Sequence, residues 1–215
     1  MIFPKIQSPY KRNETGVFIP EFSLQVFSYL LDNIWLIYEK IDGFNVRVIW
    51  DGENVHFNGK SDNTAFTVAQ LDYLGSIFKP NLFAQFEPCV VYGELVGPKC
   101  NGNLYKLQSH EFVLFDCYRS LNLTWQNTDF LEELCKIFKI RRSPCIAVMT
   151  LRQCSQHFFD GTLNEAYKTS TMFAGKPSEG FILRPECELL TQYNERVITK
   201  LKFRDKFSEG FDIWN

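Results

Sequence analysis

A lysine stands in the middle of Tyr38-Glu39-Lys40-Ile41-Asp42-Gly43-Phe44-Asn45-Val46-Arg47, between two segments rich in β-branched and aromatic residues. A lysine amine attacks phosphorus only when neutral. From a reference pKa of about 10.4 that requires a fall of roughly three units, or about 4 kcal/mol, near pH 7. Burial and neighbouring cations can supply such a fall. Residues 34–38 form a bulky β-prone run. Residues 44–50 alternate, with Asn45, Arg47 and Ile49 on one face and Phe44, Val46, Val48 and Trp50 on the other. Lys40, Asp42 and Gly43 are therefore expected at a strand-to-strand joint. There Gly43 is expected to take a backbone conformation closed to other residues and let the chain reverse beside a ligand.

Further along, more charged side chains fall at strand positions. Asp51-Gly52 is a hairpin signal, and the strand returning over residues 55–58 delivers Lys60 within Asn58-Gly59-Lys60-Ser61-Asp62. Residues 89–96 read as a strand carrying Val90, Tyr92, Glu94 and Val96 on one face. A carboxylate on so apolar a strand is costly to bury unless it is paired or holds a cation or hydroxyl. Residues 111–118 form another strand, with Phe112, Leu114, Asp116 and Tyr118 alternating against Val113, Phe115 and Cys117. Glu179 sits at the entrance to a strand in Ser178-Glu179-Gly180-Phe181-Ile182-Leu183-Arg184-Pro185. Over residues 196–203 the alternation sets Lys200 and Lys202 on one face. Two such lysines repel unless an anion lies between them, and a triphosphate is such an anion.

The elements that position these groups can be read from periodicity. Apolar stripes predict helices over residues 20–31, 64–78 and 124–139, the last capped by Asn127 or Thr128, and a further helix over 151–159 follows a short strand over 145–149. Residues 2–15 read as an extended arm with a solvated Lys11-Arg12 pair, and residues 164–175 as a mobile polar loop near the substrate. With 215 residues and no composition break, one domain is expected. A net charge of -2 gives no global basic footprint, which excludes a protein that coats nucleic acid along its whole surface. No apolar run reaches membrane-spanning length and the start lacks signal-peptide form, so a soluble intracellular protein without membrane contact is expected. Seven cysteines without a C-x-x-C pair argue against a zinc knuckle or a disulfide framework, and His56, His110 and His157 are isolated. The 21 phenylalanines suit a thick β core.

Taken in order, these segments resemble the motifs of the covalent nucleotidyltransferases, the superfamily of ATP-dependent ligases and mRNA-capping enzymes. Lys40-Ile41-Asp42-Gly43 resembles the K-x-D-G signature, and Asn45 the K-x-x-G-x-N form of the RNA ligase 2 group. Gly93-Glu94-Leu95-Val96-Gly97-Pro98 resembles that group's G-E-x-x-G-P, and Phe112-Val113-Leu114-Phe115-Asp116 its F-x-x-F-D. Glu179-Gly180-Phe181-Ile182 is similar to E-G-x-V, and the run from Lys200 through Glu209 to K-x-K-x-x-x-K-F-S-E. Arg47 fits neither the RNA ligase nor the capping pattern.

The resemblance implies an α+β fold with the antiparallel β-sheet core of a nucleotidyltransferase (ATP-grasp-like ligase adenylation) domain and flanking helices. It implies a single domain over residues 1–215, without an OB-fold or C-terminal helical domain. Its activity would be that of an ATP-dependent RNA ligase: lysyl-AMP formation, AMP transfer to a 5′-phosphate RNA end, and sealing to a 3′-hydroxyl. Lys40, Glu179, Lys200 and Lys202 would be catalytic. ATP would be bound by these four and by Glu39, Asp42, Gly43, Asn45, Lys60, Glu94 and Phe112. Within that set, Glu39 and Phe112 would hold the adenine, Glu94 the ribose, and Glu94 and Glu179 a Mg²⁺ or Mn²⁺ ion. Partners would be RNA with 5′-phosphate and 3′-hydroxyl ends and a separate subunit supplying RNA binding. The alternatives are a GTP-dependent capping-type guanylyltransferase, a DNA ligase core, and a catalytically inactive nucleotide- or RNA-end-binding module.

Overall fold

The segments of period two form antiparallel sheets, and the amphipathic helices cover them. The structure is a computed structural model that describes residues 1–212. In chain order its elements begin with β1 (Tyr10–Arg12), β2 (Phe18–Phe22), α1 (Gln25–Tyr29), β3 (Ile34–Glu39), β4 (Phe44–Trp50) and β5 (Val55–Asn58). They continue with α2 (Val68–Ile77), α3 (Pro80–Phe83), β6 (Cys89–Val96), β7 (Glu111–Arg119), β8 (Thr124–Trp125) and α4 (Thr128–Phe138). The last are β9 (Arg141–Arg142), β10 (Cys145–Thr150), α5 (Leu151–Phe159), α6 (Thr162–Tyr167), β11 (Gly180–Pro185) and β12 (Thr199–Lys202). The chain divides into two compact units, one made of Met1–Phe3 with Ile41–Ser143, the other of Pro4–Lys40 with the chain from Pro144 onwards.

In the first unit the strands run in the order β5-β4-β6-β7-β8, with β9 added parallel to β7. Val46, Val48 and Trp50 of β4 point to the same side as Val91 and Leu95 of β6 and Phe112 and Leu114 of β7, where Leu74, Phe78, Leu131, Leu134 and Phe138 cover them. Burying each such side chain contributes about 1.5–3 kcal/mol. Thr67 and Gln70 form a capping box that starts α2, and Asn127 caps α4 by accepting from the Phe130 amide. These caps explain why the two helices begin later than their apolar stripes. Ahead of α4, Thr124–Trp125 pairs with β7 instead of joining the helix.

β7 departs from plain alternation. Tyr92 lies opposite Asp116 while Gly93 lies opposite Leu114, so Phe115 is an extra residue on β7. Such a β-bulge turns the following side chains over. Phe112, Leu114 and Cys117 consequently share the covered face, and Phe115 packs with Tyr92 on the other.

The second unit has the sheet β10-β3-β11-β12. Trp35 and Ile37, Phe181 and Leu183, and Leu201 form one face of it, packed against Phe27, Leu151, Cys154 and Phe158. Residues 20–31 are not one helix: Phe22 pairs with Tyr10 in a β1-β2 ribbon, and α1, which has no side-chain cap, covers only Gln25–Tyr29. Cys89, Cys100, Cys117 and Cys154 are buried thiols, and all seven cysteines are free. No helix among the described residues is long and apolar enough to cross a membrane.

Candidate active site

In the second unit, strand register brings three separated segments together. Phe181 lies opposite Glu39 and Gly180 opposite Lys202, and the Lys40 amide donates to the Gly180 carbonyl at 2.8 Å. This sets Lys40, Glu179 and Lys202 side by side. Lys40 Nζ donates to Glu179 Oε2 at 2.7 Å, and Lys202 Nζ lies 2.5 Å from Glu179 Oε1. All three side chains are about four-fifths buried, at 18–19% exposure. Burial by itself pushes the Glu179 carboxyl up, but Lys40 and Lys202 overcome it and hold it below the ordinary carboxylate range. Lys200 lies across from Ile182, two residues from Lys202 and on the same face. One carboxylate thus bridges two lysines, with a third two residues along the same face, an arrangement suited to an anionic ligand.

Asp205 supports this network and had no signal in the motif pattern. Its carboxylate accepts from the Lys202 amide at 2.8 Å and pairs with Arg12 at 2.8 Å, so the Lys11-Arg12 pair is not merely solvated.

The structure gives Glu39 a different task from holding adenine. Its carboxylate is buried at 2% exposure and accepts from the Ser170 hydroxyl, the Thr171 amide (3.0 Å) and hydroxyl (2.5 Å), and the Met172 amide (3.2 Å). An anion so well supplied with internal donors would lose them by turning to a ligand. The segment expected to be mobile is therefore fastened, its first part being α6 and its second held by Glu39. A serine and threonine far along the chain gave no local sign of this.

The first unit carries the remaining site residues. Asp42 is fixed by its amide, which donates to the Tyr105 hydroxyl at 2.7 Å, and by its carboxylate, which accepts from Asn101. Gly43 does not reverse the chain with a positive φ; it is required because a Cβ there would meet the Leu95 carbonyl at 2.8 Å and Val96 at 2.9 Å. Asn45 pairs across the sheet with Glu94, and its Oδ1 is buried without a hydrogen-bond partner among the described residues. A buried amide oxygen in that condition is costly unless a ligand donates to it. Lys60 is exposed in the turn after β5.

Phe112 is a correction. It is fully buried, its ring stands edge-on to Phe78 at 4.9 Å, and it lies on the opposite side of the sheet from Glu94. A base cannot stack there. Phe115, displaced by the bulge, is the half-buried aromatic on the Glu94 and Asn45 side. Phe3 meets it edge-on at 5.1 Å.

No group of three or more His, Cys, Asp or Glu among the described residues could hold a metal ion by itself. Glu179, with its partly exposed carboxylate, fits an ion that takes most of its ligands from substrate phosphates and water.

Comparison with known proteins agrees with this architecture. Solved structures of Naegleria gruberi RNA ligase resemble the chain. A ligand-free mutant aligns with TM-score 0.64 at 15% identity over 94% of this chain and 59% of that one. A mutant solved with ATP and Mn gives 0.64 at 17% over 93% and 61%, and one solved with AMP and Mn gives 0.65 at 16% over 93% and 57%. The chain thus spans about three-fifths of the length of these structures. By sequence, no curated protein matches it. The model of the RNA ligase family matches residues 33–202, from the residue before β3 to the end of β12, and the chain belongs to that family.

Proposed function

We propose that the chain is an ATP-dependent RNA ligase in which Lys40 carries AMP. The observation that supports this most is the Lys40, Glu179 and Lys202 network, in which the lysine of the K-x-D-G segment shares a carboxylate with a second lysine able to hold a phosphate. The Lys40 amine, once it has given up its proton, attacks the α-phosphate of ATP. The N–P bond forms, the bond to the bridging oxygen breaks, and pyrophosphate leaves. An RNA 5′-phosphate oxygen then displaces Lys40 from AMP, and a 3′-hydroxyl displaces AMP from the activated end. Lys200 and Lys202 hold phosphate oxygens as charge accumulates on them, with Lys60 contributing a further cation. Asn45 and Glu94 hold the ribose, and Phe115, instead of Phe112, supplies the aromatic face for the base. A divalent ion, Mg²⁺ or Mn²⁺, shared between Glu179 and the phosphates would add Lewis-acid stabilisation.

The neighbours solved with ATP or AMP and Mn support the choice of nucleotide and ion. RNA with 5′-phosphate and 3′-hydroxyl ends is the proposed substrate, and a separate subunit is the proposed source of additional RNA contacts. Mass spectrometry after incubation with Mg²⁺ and either ATP or GTP, beside a Lys40→Ala control, tests the first step. An AMP adduct lost in the variant is the expected result. A GMP adduct would replace ligation by guanylyl transfer, and no adduct would leave a binding module.

A further inference from the structure

Arg47 belongs to neither pattern that the rest of β4 resembles, yet it is one of the most deeply buried charges of the first unit, at 2% exposure. It lies opposite Asn58 of β5 on one side and Tyr92 of β6 on the other, on the sheet face that carries Asn45 and Glu94. Its Nε donates to the Gly59 carbonyl at 2.7 Å, and Nη2 to Asp62 Oδ1 at 2.6 Å. Those two acceptors bracket Lys60. Asn58 Nδ2 adds a 3.1 Å bond to the same Asp62 oxygen, and the guanidinium holds the Asp62 carboxyl below its ordinary range.

The turn is closed from within as well. Thr64 Oγ1 donates to the Ser61 carbonyl at 2.8 Å, and the Thr64 side chain fills the space where a Cβ on residue 59 would lie, which is why glycine stands there. The backbone just before Lys60 and the Asp62 side chain just after it are therefore tied to one rigid guanidinium, while Lys60 itself is exposed. A planar fork meeting a carbonyl and a carboxylate at once is a task lysine cannot perform, because its ammonium is a single compact charge on a flexible stem.

We propose that Arg47 is a positioning residue for the adenylylation step, acting through the Lys60 turn by fixing where that ammonium meets the nucleotide's phosphates. This rests on the ligase reading of the chain. Lysine at position 60 is itself a point charge, so its contribution depends on placement, and a displacement of about 1 Å can cost on the order of a hundredfold in rate.

The test is single-turnover formation of the Lys40 adduct across ATP concentrations in four proteins: wild type, Arg47→Lys, Lys60→Ala and the double variant. Amide hydrogen exchange over residues 59–64 is measured on the same samples. Arg47→Lys is expected to slow the step about 10- to 100-fold and to speed exchange in the turn. The double variant is expected to be no slower than Lys60→Ala, because one route is removed only once. A merely structural role would instead make the two losses multiply. Wild-type rates in Arg47→Lys, multiplied losses, or unchanged exchange in the turn would each overturn the inference while leaving ligation intact. A wild-type chain that forms no adduct would remove the ligase reading, and this proposal with it.

Discussion

Replacing Glu179 by glutamine keeps the shape of the side chain and removes the charge between Lys40 and Lys202. Two close contacts, at 2.7 and 2.5 Å, lose their anionic partner, and two ammonium groups remain at one place. Breaking a fully buried ion pair costs about 3–5 kcal/mol. Here each side chain keeps roughly a fifth of its surface in water, so both lysines can partly resolvate, and a loss of about 2–3 kcal/mol is expected. For a chain of this size that corresponds to about 5–10 °C in Tm. The pH dependence follows from the depressed folded-state pKa of Glu179. Its stabilisation is complete above the unfolded value of about 4.3 and disappears as pH falls through the lower folded value, where the native carboxyl is itself neutral. Urea midpoints of the wild type and Glu179→Gln, measured from pH 8 down to pH 3, should differ by that amount at pH 6–8 and converge in acid. Equal midpoints at pH 7, or a gap that persists unchanged to pH 3, would refute the reasoning.

Other substitutions separate packing from ligand contact. Phe112→Ala should cost about 3–5 kcal/mol of stability through the cavity it opens beside Phe78, read from denaturant unfolding. Phe115→Ala, at a half-buried position, should cost less stability but raise the ATP concentration needed for adduct formation. Glu39→Ala should remove the carboxylate that accepts from residues 170–172, lower stability by about 2–4 kcal/mol, and speed hydrogen exchange at the Thr171 and Met172 amides. Asp205→Ala removes the acceptor of the Lys202 amide and the partner of Arg12. It should slow adduct formation more than it lowers Tm, because the direct consequence is a looser Lys202.

The alternation of β4 and β6 and the K-x-K strand was legible because period two is a local property. Residues 44–50 face as their sequence indicates, and Lys200 and Lys202 share a face. Phe115 and Phe112 show where that legibility ends. An alternating pattern assumes equal residue counts on paired strands, and the extra residue on β7 violates it at a point fixed by the partner strand, Tyr92-Gly93. The tasks of Glu39 and Arg47 were invisible for a related reason. Their partners, Ser170 with Thr171 and Gly59 with Asp62, are defined only after folding, and none belongs to a motif. The helix expected over residues 20–31 was lost because Phe22 found a strand partner in Tyr10.

The Glu179 network also bears on the order of events at Lys40. In this arrangement the glutamate neutralises one of the three lysines on its face, so the face remains cationic toward an incoming phosphate chain. An anion that binds Lys200 and Lys202 competes with Glu179 for Lys202. Weakening that contact leaves the carboxylate with capacity for a metal ion carried by the phosphates. The Lys40 ammonium would then share its anionic partner with that ion. Loosening of Lys40 from its carboxylate would thus follow the arrival of an anion. Until then the carboxylate offsets part of the repulsion between Lys40 and Lys202.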